Sequence, residues 1–226
     1  MGYWHGLGRA LLVARALVVA VGGGALGLCL RPVPSHDPAM LADPAANVAV
    51  PGYMATACAL GPTLACQAAS ARAIDAARAD EGVAPLQLPS GFYTMPPIVQ
   101  LLVVANAERS DRGLPRFVGL SASLDRLASA GARQRVDPGG PPGVSWGSNL
   151  AIGYTSVLQA DYAWMYDDGP GADNGDCTPR VRTGCWGHRE NILAGYGPRP
   201  LMGAAVVPTT FLGQPSVSMT ELFAAR

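Results

Sequence analysis

Two pairs of cysteines constrain this chain more than any other feature. Cys58 and Cys66 are separated by the same interval as Cys177 and Cys185, and each pair brackets a loop containing glycine or proline. With Cys29 of the apolar N-terminal run set aside, four cysteines permit several connectivities; the equal short spacing predicts local pairing, Cys58–Cys66 and Cys177–Cys185. Each short loop closure is expected to contribute about 2–3 kcal/mol. Metal binding by thiolates is the weaker alternative, because no CxxC pair occurs and the two pairs lie far apart. Bonded cysteines suit an oxidising compartment, and the first residues agree. Arg9 and Arg15 precede an uncharged, mostly apolar run from Ala16 to Leu30. That run suits the apolar region of a signal peptide and is shorter than the ~20 residues of a membrane span. The expectation is a secreted or extracytoplasmic protein, with membrane attachment through residues 10–30 if the segment is not cleaved.

The bulk numbers remove several function classes. A length of 226 residues fits one moderate domain with extensions, and 49% hydrophobic content supplies a core. The formal net charge is zero, so no basic field recruits nucleic acid. All 16 cationic residues are arginine. The absence of lysine excludes a Schiff base, a phosphate-loop lysine and a Ser–Lys dyad.

Along the chain, residues 1–30 read as signal peptide or anchor and 31–55 as a Pro/Ala-rich linker. Residues 56–93 read as a disulfide-containing helical extension, with a helix from Cys66 to Gly82. Residues 94–226 read as the main domain. Its first helix opens at Thr94, presents Ile98, Leu101, Leu102 and Ala105 on one face, and stops at Gly113. A second begins near Ser121 and buries Leu124, Leu127 and Ala128. "VDPGGPPGVSWGSN" reads as a loop, and a helix follows from Ser156 to before Gly169. "GHRENILAGYG" is a helical turn. "LMGAAVV" and "SVSMTELF" form a hairpin turning through Gly213. In its last strand Val217, Met219, Glu221 and Phe223 share one side. An acid on that apolar side is costly unless paired or hydrogen-bonded, so either Glu221 sits at an edge where its face is wet or it meets a partner inside a cleft, with His188 and an arginine the nearest suitable types.

The ordered set "ANAERSDRGLPRF", "LSASLDRLAS", "WGSNLAIGY", "DYAWMYDD", "GHRENIL" and "SMTELF" resembles the CAP superfamily, the SCP-like or cysteine-rich secretory/antigen 5/pathogenesis-related module, over roughly residues 94–226. The resemblance implies an α+β fold, an α-β-α sandwich with a small antiparallel sheet between helices, and a secreted location. It also implies a cleft that in many members carries two histidines and two acids, in some with a divalent metal. His188 matches the histidine of the "GH" motif. Ser148 stands at the acid of the "GEN" motif, and Gln134 or Arg135 stands where the other histidine is usual. Glu221 stands where glutamine is frequent.

With one matching histidine, a divalent metal has thin support, and the expectation is no cofactor. Asp173, Asn174 and Asp176 lack the spacing of a calcium loop. The predicted role is non-catalytic binding of a small apolar ligand or a cell-envelope component. The cleft is expected to involve Trp146, Asn149, Tyr154, Trp164, Asp167, Trp186, Arg189 and Asn191. The alternative is a serine-type hydrolase. There His188 would activate Ser148, Glu221, Asp167 or Glu190 would orient the imidazole, and Asn149 would donate to an oxyanion. A structural alternative has His188 bridging the "GSN" segment to the "GHRENIL" turn, with Asn149 and Asn191 bonding backbone.

Overall fold

The computed structural model describes residues 38–178, 180, 182 and 184–226. The expected export segment, Cys29 and His36 lie outside the described residues. Those residues form a three-stranded antiparallel sheet with helices on both faces, so the expected α+β class holds. Six α-helices run in the order α1 (Gly52–Cys58), α2 (Leu64–Asp80), α3 (Pro97–Ser110), α4 (Ala122–Gln134), α5 (Val157–Tyr166) and α6 (Gly187–Leu193). The strands are β1 (Trp146–Ile152), β2 (Leu201–Phe211) and β3 (Gln214–Ala224), in the order β1-β3-β2.

Side-chain alternation along β3 divides the core into two layers. Leu222 and Ala224 meet Leu124, Ala128 and Ala132 of α4 on one face. Met219 and Phe223 join the larger core on the other face, with residues of α2, α3, α5 and α6. The α4 backbone sits close on β2: a Cβ at Gly203 would lie 2.3 Å from the Leu124 carbonyl carbon. Leu127 was expected inside and is 38% exposed, because it lies to one side of the stripe Leu124, Ala128, Gly131 and Ala132. The β2–β3 turn places Leu212 and Gly213 at φ 48° and 78°, as a two-residue turn matched to strand twist requires. Pro208 is tolerated within β2 because β2 is an outer strand.

Both local disulfides form, Cys58–Cys66 between α1 and α2 and Cys177–Cys185 in the loop before α6. Such bonds fit an oxidising compartment. No helix among the described residues is long and apolar enough to cross a membrane.

Two readings of the chain change in the structure. The segment "WGSN" is strand, not loop: it opens β1, and its polar pattern hid a strand whose Asn149 faces inward. The Pro/Ala-rich segment, from residue 40 on, is clasped to the body rather than free. The Val48 N–H donates to the Tyr166 carbonyl (2.8 Å), and Tyr162 Oη donates to the Val48 carbonyl (2.9 Å). Arg112 Nε reaches the Met40 carbonyl and Arg189 Nη2 the Ala42 carbonyl. No sequence period marks this segment, because backbone groups and the Asn47 amide, which takes the Gly169 N–H and donates to the Pro170 carbonyl, do much of the binding.

Those arginines belong to an ionic network inside the helical layer. Glu108 of α3 is fully buried. Arg112 donates to it, Arg78 of α2 lies 2.8 Å from Oε2, and Tyr166 Oη donates at 3.0 Å. Glu81, just past α2, takes Arg112 at 2.5 Å and Arg189 of α6 at 2.9 Å. Arg78 also reaches Asp111. Arg78, Arg112 and Arg189 are each at most 1% exposed. Burial alone would lift the Glu108 carboxyl, but Arg112 and Arg78 hold it below the ordinary carboxylate range. A buried pair is costly to break, because removing one partner strands the other charge. Glu108→Gln keeps the shape and removes the anion; it is expected to lower stability by about 3–5 kcal/mol, measured by urea denaturation, and a loss under about 1 kcal/mol would show the pair to be energetically idle.

Candidate functional site

The free side of β1 sets the position of the site. As an outer strand it presents unpaired carbonyls that need donors from elsewhere. Asn191 Nδ2 donates to the Ser148 carbonyl (2.7 Å), and Trp164 Nε1 donates to that of Leu150 (3.3 Å). Asn149 Nδ2 donates in turn to the His188 carbonyl (3.2 Å), while Asn191 Nδ2 also reaches Asn149 Oδ1 (3.1 Å). Two asparagines therefore fasten α6 to β1. Gly147 lets them approach: a Cβ there would lie 2.4 Å from Tyr196 Oη and 2.5 Å from Asn191 Oδ1.

Past Trp164 the edge opens into a cavity of about 540 Å³, within the size range of small-molecule sites. Its walls come from residues 135–137 after α4, residues 150–152 of β1, Tyr154, and Trp164 with Asp167 and Asp168 at the end of α5. Residues 173–176, His188 and Phe211 complete it. The Cys177–Cys185 bond holds the 173–176 loop near α6.

His188 is held by a carboxylate. Its Nδ1 lies 2.6 Å from Asp168 Oδ1, and its backbone N–H donates to Asp168 Oδ2 at 2.9 Å. Asn174 Nδ2 donates to Asp168 Oδ1 (2.6 Å) and fixes the carboxylate from behind. Asp168 is 2% exposed. Burial pulls the imidazole down, but the hydrogen bond and charge of Asp168, with Asp137 and Asp176 beyond it, win, and its pKa lies above the ordinary 6.5. With Nδ1 committed to Asp168, Nε2 is the nitrogen left for a ligand.

The expected site residues separate into groups. Tyr154, Trp164 and Asp167 line the cavity with His188. Five others expected in the cleft do not line it. Asn149 and Asn191 are spent on the α6–β1 tie. Arg189 points the opposite way from His188, into the ionic network. Trp186 caps α6 at φ 64° and is covered. Trp146 lies against Gly140, 46% exposed. Ser148 and His188 form no hydrogen bond: Ser148 pairs with Leu222, whose side chain joins the α4 layer, so alternation turns Ser148 away from Asn149 and α6. Glu190 is exposed at the start of α6, and Gln134 is exposed at the end of α4. Asp168 and Asp137 went unselected from sequence. The signal available was the Asp167–Asp168 doublet, in which Asp168 turns inward.

Glu221 shares the side of Val217, Met219 and Phe223 as read from sequence, but meets neither His188 nor an arginine. Among the described residues Asn149 Nδ2 is its hydrogen-bond partner, at 3.4 Å. Burial raises its pKa to about 8, with Asn149 offsetting part of the rise. Asp161 of α5 is buried too and its Oδ2 is unpaired. Burial, then repulsion from Glu108 and Glu221, keeps it protonated well above the ordinary range.

Among the described residues no group of three or more His, Cys, Asp and Glu side chains is placed to share a metal ion. Comparison of the chain with known protein families, characterised proteins and solved structures finds no match.

Two outcomes follow from the titrating groups. Asp168→Asn is expected to lower the His188 pKa relative to the native protein, read from its imidazole NMR shifts; an unchanged value would mean the carboxylate does not govern the ring. Glu221 holds its proton in the folded state from the ordinary 4.5 up to about 8, so it costs stability as pH rises through that window, at about 1.4 kcal/mol per pH unit, and the cost levels off above it. Glu221→Gln, which cannot ionise, is expected to gain stability over the native protein at pH 8 and not at pH 4.5, by thermal denaturation; an equal difference at both pH values would remove the assignment.

Proposed function

We propose that this chain is an exported CAP-type module that binds a small ligand in the cavity beside His188 without transforming it. The carrying observation is where the resemblance motifs meet. "WGSNLAIGY", "DYAWMYDD" and "GHRENIL" all contribute to one cavity wall, together with residues 135–137, beginning at Arg135 where the superfamily's other histidine is usual, although residues 135 and 188 are far apart in sequence. The sheet between α4 and the remaining helices, and the two disulfides, are what an exported member of that superfamily would carry.

Binding is favoured over hydrolysis by the lining itself. Among the described residues it contains no serine, threonine or cysteine, so none of these nucleophiles stands beside the His188–Asp168 pair there. The serine-hydrolase alternative needs a Ser148–His188 contact that the direction of β1 withholds.

The reading is tested by screening small aromatic compounds by NMR, with the Trp164 indole N–H and the His188 ring as reporters, beside labelling by a fluorophosphonate probe. Compounds are expected to shift both reporters, Ser148→Ala to bind them as the native protein does, and the probe to leave the protein unlabelled. Labelling at Ser148 would overturn the reading in favour of hydrolysis.

A further inference from the structure

The chain is formally neutral, with 16 acidic and 16 basic residues, yet its charge is not evenly spread. Five aspartates, Asp137, Asp167, Asp168, Asp173 and Asp176, line the cavity beside His188. Against them stand one arginine and one histidine. His188 is committed to Asp168. Arg135 is turned to the hairpin arm, donating to Thr209 Oγ1 and the Thr210 carbonyl, both at 2.5 Å. Among the described residues no arginine forms an ion pair with Asp137, Asp167, Asp173 or Asp176. The cavity is therefore anionic in either state of the histidine.

The remaining wall is apolar and aromatic. Leu150, Ile152, Trp164, Tyr154 and Phe211 face the same space. Trp164 is 2% exposed, with its indole N–H spent on the Leu150 carbonyl, so it backs the wall and gives the cavity no donor. Apolar walls of low dielectric concentrate the field of nearby charges, and aromatic faces attract cations. The field is felt inside: burial, then Asp173, Asp167 and Asp168, push the Tyr154 hydroxyl up to about 12. Burial and neighbouring carboxylates likewise raise Asp167.

We infer that the cavity selects a small organic cation, an ammonium group carried on an apolar or aromatic body. The body lies against Tyr154 and Phe211, and the ammonium faces the Asp137 and Asp167 carboxylates. The inference deepens the binding role proposed above and rests on it. It also differs from the apolar ligand expected from sequence, which would offer the half-buried Asp167 carboxylate no counter-charge.

The test uses three probes of one shape: 2-phenylethylammonium, 2-phenylethanol and phenylacetate. Each is titrated into the native protein at neutral pH by calorimetry, with the Trp164 and His188 NMR signals reporting location. The cation is expected to bind at least about tenfold more tightly than the alcohol, with phenylacetate weakest. Its affinity should fall as salt rises, and Asp137→Asn with Asp167→Asn should abolish the preference. The charge series and the salt dependence use the native protein, so they stand even if the double variant does not fold. The alcohol or phenylacetate binding at the reporters as well as the cation does would overturn the cation inference and leave the binding role intact. No probe of any charge moving the reporters would overturn both.

Discussion

A carboxylate with three arginines gathered round it and its neighbour governs the arrangement of this protein. Glu108 and Glu81 are shared among Arg78 of α2, Arg112 in the turn after α3 and Arg189 of α6. A charge buried this deeply is tolerable only when its partners are in place, so the three helices cannot dock independently. The same guanidiniums take carbonyls from residues 40, 42 and 84, which draws the chain segments flanking α1 and α2 into the same assembly. The stretch that composition reads as an extension is thus bound to the domain by ions as well as by Ala69, Ala73, Ile74 and Ala77 in a shared core.

The network reaches the cavity through two adjacent residues. Arg189 and His188 leave α6 on different sides, one toward Glu81 and the other toward Asp168. The short helix is pinned from both sides and also tied to β1 by Asn149 and Asn191. A seven-residue helix has little stability of its own; here its geometry is imposed by the side chains of His188, Arg189 and Asn191 and by Ile192 in the core. The imidazole is consequently presented in a fixed orientation, with Nδ1 assigned and Nε2 available.

Much of the scaffold was legible in the sequence because its signals are local. The two cysteine spacings, the glycine stop at Gly113, the terminal hairpin and the apolar stripe of α3 depend on residues close in the chain. The neighbourhood of "WGSN" and His188 was legible too, through the Asn149–His188 contact. The hidden parts are those where a polar residue does the work of an apolar one. Arg189 reads as a cleft residue, and nothing nearby in sequence announces Glu108 as the partner of Arg78 or Glu81 as that of Arg189. Asn149 disguised β1. Asp168 was passed over for Asp167, and twenty residues separate it from the histidine it holds. Ser148 shows the reverse failure: sitting beside Asn149 in sequence, it goes to the other face of the sheet.

Native-state hydrogen exchange tests the dependence of the whole on the buried ions most directly. Amides of α2, α6 and β3 are expected to open with one common free energy, and to lose protection together when Glu81 or Glu108 is neutralised. Opening of α2 well below β3 in the native protein, or loss of protection confined to one helix in the variants, would contradict the account.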